Sequence, residues 1–408
     1  MTDPVSSKFV NSDNEFRRAL QVVAEGTTQT RTPAMMSPCD YPAFGAKGEG
    51  AYFWDIDGHR YIDWILSFGC IVLGHNHPEV NAAAIEEINK GFTLQLPPVL
   101  QTDLAEKLVE IIPCAEKVLF LKTGSGATSA AVRVARLATG RDKVIRLGYN
   151  GWHDWCCKFD AGIPQDVLQL TKKFEYNDLE SLADLFRANP GQVACVIMWA
   201  CEEEEPHPGF LEGVRDLAHE NGALFVLDEV RTGFHLAMGG AQQYFEVTPD
   251  LATFGKAMAN GFPLSVLAGR AKYMDHVRES WISSTHCTNA IEYAAALATI
   301  RYMEEHDVIG KLWDLGRRLI EGQNALAQEV GVEAETIGLA PTPNLVFRYP
   351  DDVKNQLAKQ TFYEEALRQG VFFHPNHHWF ISAAHGPDEL SKTLQATEAG
   401  FRAVQAVV

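Results

Sequence analysis

This chain of 408 residues has no apolar run long enough to cross a bilayer. Its longest, ACVIMWAC, falls far short of the roughly 20 residues a spanning helix needs. Basic residues are in the minority: 35 Lys and Arg against 53 Asp and Glu give a net charge of −18. Such a field repels nucleic acid and anionic membranes, so neither is an expected partner. A polycationic substrate would be drawn to it, although acidic surfaces also serve solubility. None of the eight cysteines stands in a C-x-x-C pair. They read as reduced thiols of a cytoplasmic protein, and no metal site is expected. The opening MTDPVSSKFVNSDNEF lacks a basic stretch followed by an apolar core, so no secretory leader is expected. Low-complexity segments and internal repeats are likewise missing.

What is present is an alternation. KVLFLK (117–122), KVIRL (143–147), ACVIMWA (194–200) and ALFVLDEV (223–230) read as strands, with helical patterns such as GATSAAVRVARLAT and GFLEGVRDLAHENG between them. Runs apolar on both faces and separated by helices predict an α/β fold, its mostly parallel sheet buried between helices. That large domain is expected over 61–295. GAYFWDIDGHRYIDW (50–64) reads as a hairpin turning at Asp57-Gly58, within an N-terminal segment, 1–60. A smaller α+β domain is expected over 296–408, with the N-terminal segment packed beside it.

Chemistry gathers at the ends of these strands. Asp228 closes ALFVLD, where ligands of parallel α/β sheets bind, and could hold a cationic ring nitrogen. A helix cap or loop charge is the plainer role for it. Lys256 follows one connection and one short strand later, in DLATFGKAMANG, flanked by small or apolar residues. A desolvated lysine is a usable nucleophile. A solvated lysine is the usual case, but the pairing with Asp228 argues against it.

TGSGATSAAVRVAR (123–136) runs from a strand through Gly and Ser into a helix, which suits a phosphate cradle as well as a simple cap. It is neither a G-x-G-x-x-G nor a Walker sequence. GYNGWHDW (148–155) offers Tyr149, Trp152, His153 and Trp155, either for stacking on a flat heterocycle or as a packed loop. SSTHCTN (283–289) adds hydroxyls before a helix. Lysine, ring-nitrogen carboxylate, phosphate cradle and stacking aromatic together are what pyridoxal 5′-phosphate requires.

The chain resembles the class III aminotransferases of fold type I, in the branch containing glutamate-1-semialdehyde 2,1-aminomutase. GEGAYFWDIDGHRYIDW, PGFLEGVRDLAHENGALFVLDEVRTGFH, TPDLATFGKAMANGFPLSVLAGR and FISAAH carry the resemblance along nearly the whole chain. It implies that Lys256 holds the cofactor as a Schiff base and that Asp228 pairs with the pyridinium nitrogen. Val230 and Tyr149 would take opposite faces of the ring, and Gly124 and Ser125 the phosphate. Thr285 would reach the phosphate of the neighbouring subunit, implying a homodimer. Ser67 would line the substrate pocket.

Departures from the pattern fall mostly around the substrate. Gly126 replaces a glutamate, Asn150 a histidine and Trp199 the glutamate of a Glu-Pro pair. No C-terminal arginine is evident, and PNHHWFISAAH offers His377 and His378 instead. Thr30 and Arg31 only loosely echo the aminomutase's carboxylate-binding pair. Arg31, Ser67, Trp152, His153 and Trp199 are therefore the candidate substrate residues. The expected activity is amino transfer from an amino-acid donor to an aldehyde or ketone. GWHDW and the acidic run Glu202–Glu205 resemble enzymes that aminate oxidised sugars or aminoglycosides; the run could equally be solvated charge. An aminomutase or an amino-acid racemase or epimerase is the alternative.

Overall fold

A computed structural model describes residues 8–29, 31–36, 40–201 and 203–408. Thr30, Cys39 and Glu202 lie outside the described residues. The chain divides into two units, one made of residues up to His77 together with Gly310–Val408, the other Pro78–Ile309.

In the first unit, β1 (Gly45–Glu49), β2 (Tyr52–Asp55) and β3 (Arg60–Asp63) form an antiparallel meander. The hairpin between β2 and β3 turns through Asp57 and Gly58, as their turn chemistry predicts. Asp55 holds it: its carboxylate accepts from the backbone of Asp57 (3.0 Å) and His59 (2.8 Å) and from the Tyr61 hydroxyl (2.9 Å).

The second unit carries a seven-stranded sheet. Its strands are β4 (Lys117–Leu121), β5 (Lys143–Arg146), β6 (Thr171–Lys173), β7 (Val193–Met198), β8 (Leu224–Asp228), β9 (Leu251–Phe254) and β10 (Ser265–Gly269). Their order is β4-β10-β9-β8-β7-β5-β6. All neighbours are parallel except β10, which runs antiparallel to both β9 and β4. Every residue of β7, β8, β9 and β10 is buried. Side chains alternate between faces, so both faces of the sheet are covered. The helix Gly124–Thr139 packs on this sheet, placing Ala127, Ala130, Ala131, Val134 and Ala135 against Val144, Ile197, Val226 and Leu267. Each large apolar chain buried here contributes about 1.5–3 kcal/mol.

Beyond the helices Ala290–Glu305 and Val308–Val330 the chain adds β11 (Ala334–Ile337) and β12 (Asn344–Phe347), an antiparallel pair. Next comes β13 (Val371–Phe372), which pairs in parallel with β3 and so joins the N-terminal meander. HWFISAA, also strand-like in sequence, forms no strand. Trp379 and Ile381 donate instead to the carbonyls of Pro343 and Pro341, and Phe380 to that of Trp64. No described helix is long and apolar enough to cross a membrane.

Candidate active site

The carboxyl ends of β4, β5, β8 and β9 point to one edge of the sheet, because β10 reverses direction against both of its neighbours. Each of these strands delivers a sequence-predicted residue to that edge: Gly124 and Ser125 after β4, Tyr149 after β5, Asp228 on β8 and Lys256 just after β9.

Asp228 is the last residue of β8 and is 3 % exposed. Its Oδ2 accepts from the Asn150 side-chain amide (3.0 Å). Its Oδ1 accepts from the Val230 backbone (3.2 Å) and the Thr253 hydroxyl (3.3 Å). Burial pushes its proton affinity up, while these three donors and the nearby positive charge of Lys256 oppose the shift. The adjacent carboxylate faces the other way, as strand alternation requires. Glu229 is tied to the Thr232 hydroxyl and to the backbone of Ala241 (2.7 Å) and Gln242 (2.8 Å). Of the two acids in LDEV, Asp228 is thus the one on the Lys256 side.

Lys256 begins a short 3₁₀ turn, Lys256–Ala259, directly after Gly255. Its φ of +46° is uncommon for a residue with a side chain. Such strain costs on the order of 1–3 kcal/mol and persists where the surroundings impose it, often at functional positions. Ala257, Met258 and Ala259 are fully buried around a half-buried lysine.

The helix Gly124–Thr139 opens beside them. Thr123 caps it, its hydroxyl accepting from the Gly126 backbone (3.1 Å), and Gly140, at φ +65°, closes it. A Cβ on Gly124 would stand 2.9 Å from Cγ1 of Val230. Val230 therefore lies directly over the helix start, and only glycine leaves room there. The loop after β5 closes on the same point. Gly151, at φ +124°, has Ser125 Oγ 2.6 Å from where a Cβ would be, and the Trp152 backbone reaches that hydroxyl at 3.4 Å. A helix N-terminus lined by glycine and serine can hold an anion, a buried aspartate a cationic ring nitrogen, and a half-buried lysine an aldehyde.

The remaining sequence-predicted residues are distributed as follows. His153 is turned to Ser129 Oγ (2.6 Å), which also accepts from the Trp155 indole (2.8 Å). Trp152 packs edge-on to His153 and is exposed. Trp199, half-buried after β7, stacks under the Arg231 guanidinium at 4.6 Å, and Arg231 donates to the Cys201 carbonyl. Glu203, Glu204 and Glu205 are exposed. Thr285 opens the short turn Thr285–Thr288 and is exposed. Ser67 and Arg31 belong to the other unit. Leu66, Ser67 and Phe68 all have positive φ (49°, 55° and 59°), and the Arg31 carbonyl accepts from His374 (2.7 Å). Sequence reading gave Asn150, Thr253 and Arg231 no role. Asn150 was visible only as a departure from the family pattern, and the partners of the other two depend on tertiary pairing.

The chain is similar to known proteins over nearly its whole length. The profile of the aminotransferase class-III family matches residues 36–385. A 3-aminobutyryl-CoA aminotransferase of Cloacimonas acidaminovorans is 37 % identical over 397 residues, covering 95 % of this chain and 96 % of that protein. A glutamate-1-semialdehyde 2,1-aminomutase of Methanothermobacter thermautotrophicus is 33 % identical over 417 residues, covering 95 % and 98 %. The solved structure of the FumI protein of Sphingopyxis sp. MTA144, in its pyridoxal-phosphate internal aldimine form, superposes with a TM-score of 0.92 at 32 % identity, covering 97 % of this chain and 96 % of that one. The chain belongs to the class-III aminotransferase family and is a pyridoxal-phosphate-dependent transaminase of fold type I.

Proposed function

We propose that this enzyme moves an amino group from an amino-acid donor to an aldehyde or ketone whose carbonyl is not adjacent to a carboxylate. The observation that carries the catalytic part is the buried Asp228, three times hydrogen-bonded, in electrostatic contact with the strained Lys256. The residues fit the cofactor. The Gly124 start of the helix has no space for a Cβ under Val230, and Asn150 Oδ1 is a buried acceptor with no donor. Lys256 would hold the aldehyde, Asp228 the ring nitrogen, Gly124 and Ser125 the phosphate, and Val230 and Tyr149 the ring faces. Bound there, pyridoxal phosphate supplies an electron sink for the substrate carbon. Lys256 Nζ, as a free amine, would be the base that takes the proton from that carbon and the acid that gives it back. Asp228, as a carboxylate, would pair with the protonated ring nitrogen and favour that form.

The acceptor class rests on the 37 % identical relative, named for a 3-amino thioester substrate. Oxidised sugars and aminoglycosides form the second arm of the test. An acceptor screen with glutamate, glutamine and alanine as donors should give amino transfer to a β-oxo or simple aldehyde acceptor. Transfer only to α-oxo acids would overturn the acceptor assignment. The 33 % identical aminomutase supports a second reading, isomerisation within one molecule. Isomerisation of a single amino compound with no added acceptor would favour it.

The same proposal includes a cytoplasmic homodimer in which Thr285 reaches the partner's phosphate. The segment after Phe92 is bonded to the Thr285 turn: Ala290 donates to the Phe92 carbonyl (2.9 Å), and Thr288 to that of Leu94 (2.9 Å). Leu94 and Leu96 in that segment and Trp281, four residues before Thr285 in the chain, are well exposed, and exposed apolar side chains suit a subunit interface. Sedimentation of the purified protein as a monomer would contradict it.

A further inference from the structure

The loop Gly148–Trp152 is fixed at one end of the site and reaches into the other. Thr128, on the helix Gly124–Thr139, donates its hydroxyl to the Asn150 carbonyl (2.6 Å). Gly151 and Trp152 close on Ser125. With its backbone anchored there, Asn150 turns its side chain toward Asp228, where both groups are buried. Val230 and Thr253 occupy Oδ1 of Asp228, and Asn150 is the donor to Oδ2. The amide presents its donor to the carboxylate even though this leaves its own Oδ1 buried and without a donor. That orientation is the one an acceptor-only carboxylate selects.

Among the described residues, Lys256 acts on Asp228, and Asp228 acts on the Cys156 thiol. The Cys156 thiol is pushed up to about 12 by burial and carries no charge at ordinary pH. The imidazole that follows this loop, His153, is engaged with Ser129. No described imidazole hydrogen-bonds Asp228.

We propose that Asn150 is a positioning residue that holds Asp228 toward the ring nitrogen with a hydrogen bond that does not depend on pH. The inference rests on the cofactor role of Asp228 proposed above. An amide neither gains nor loses a proton at the pH values at which the enzyme works, whereas an imidazole in this place would titrate near 6.5. Asp228 therefore keeps this partner across that range.

The test uses the holoenzyme and follows the absorbance of the lysine-bound cofactor from pH 5 to 9, the cofactor dissociation constant, and kcat and KM separately. Asn150→Ala should weaken cofactor binding about tenfold, the loss of one hydrogen bond to a charged group, and shift the midpoint of the absorbance titration. It should lower kcat with little change in KM. Asn150→His should restore the affinity and add a second transition between about pH 6 and 7 that the natural enzyme lacks. Melting of the cofactor-free proteins separates a general loss of fold from these effects. An unchanged titration and affinity in Asn150→Ala, or an Asn150→His profile identical to the natural one, would overturn the inference. Asp228→Asn is the control. If it too leaves the titration unchanged, the cofactor role of Asp228 has failed rather than that of Asn150 alone.

Discussion

Asn150 and Asp228 stand 78 positions apart in the chain and share a buried 3.0 Å hydrogen bond. The sheet order brings them together: β5 and β8 are separated by β7 alone, and all three run parallel, so their carboxyl ends open on one edge. The loop after β5 thereby holds the residue that ends β8.

Lys256→Ala should abolish the absorbance of the lysine-bound cofactor and the covalent label left by borohydride reduction. Removing a proton-transfer group costs typically about 10²–10⁴-fold in rate, and the loss of the covalent anchor adds to that. Residual transamination within tenfold of the natural enzyme would place the essential amine elsewhere.

Gly124→Ala brings a methyl group to 2.9 Å from Cγ1 of Val230 and 3.3 Å from Cγ2. Val230 is β-branched and stiff, so the strain falls on the ring-face position itself. Overpacking of this kind costs about 1–3 kcal/mol. Cofactor affinity should fall at least tenfold, read by equilibrium dialysis, with a smaller change in the melting temperature of the cofactor-free protein.

If Thr285 serves the partner's site, two inactive variants can repair each other. In a mixed dimer of Lys256→Ala and Thr285→Ala, one site regains both residues. Activity after subunits are unfolded and refolded together should exceed the mean of the two parents. Activity at or below that mean would return Thr285 to its own subunit.

His385 sets a pH dependence of stability in the other unit. Burial lowers its pKa to about 4, against the opposing pull of Asp63 and Glu389, while His75 adds to the lowering. Nδ1 accepts from the Ser382 backbone (3.1 Å), Nε2 donates to the Asp63 carbonyl (3.1 Å), and the ring stacks on Trp64 at 4.1 Å. A second ring proton would point at an N–H donor. The folded-state pKa lies below the unfolded one, so between about pH 6.5 and 4 the unfolded chain binds more protons. Stability is full above that window and falls through it by about 3 kcal/mol. His385→Gln should flatten this part of a denaturation profile; an unchanged slope would show that other groups cause it.

The parallel strands were legible because buried strands are apolar without alternation, as in VACVIM and LFVLD. The reversed β10 was not. SVLAG follows a turn rather than a helix, and direction depends on pairing that no local pattern encodes. Asp228 and Lys256 stood out because a charge at the end of an apolar run is rare. Asn150 could be seen as unusual, but its target lies two strands away. GYNGWHDW reads either as an aromatic cluster for a flat ligand or as a packed loop. Its half-buried His153 and Trp155 converge on Ser129 of the neighbouring helix, a partner that depends on the helix–loop contact.

The most direct test is a half-reaction. Holoenzyme mixed with one amino donor and no acceptor should lose its lysine-bound cofactor absorbance and release one equivalent of the donor's oxo product per active site, stopping there until an aldehyde or ketone is added. Lys256→Ala should release none. Continuous turnover that leaves the amino group within the same molecule, or oxo product formed equally by Lys256→Ala, would contradict amino transfer through Lys256 as described.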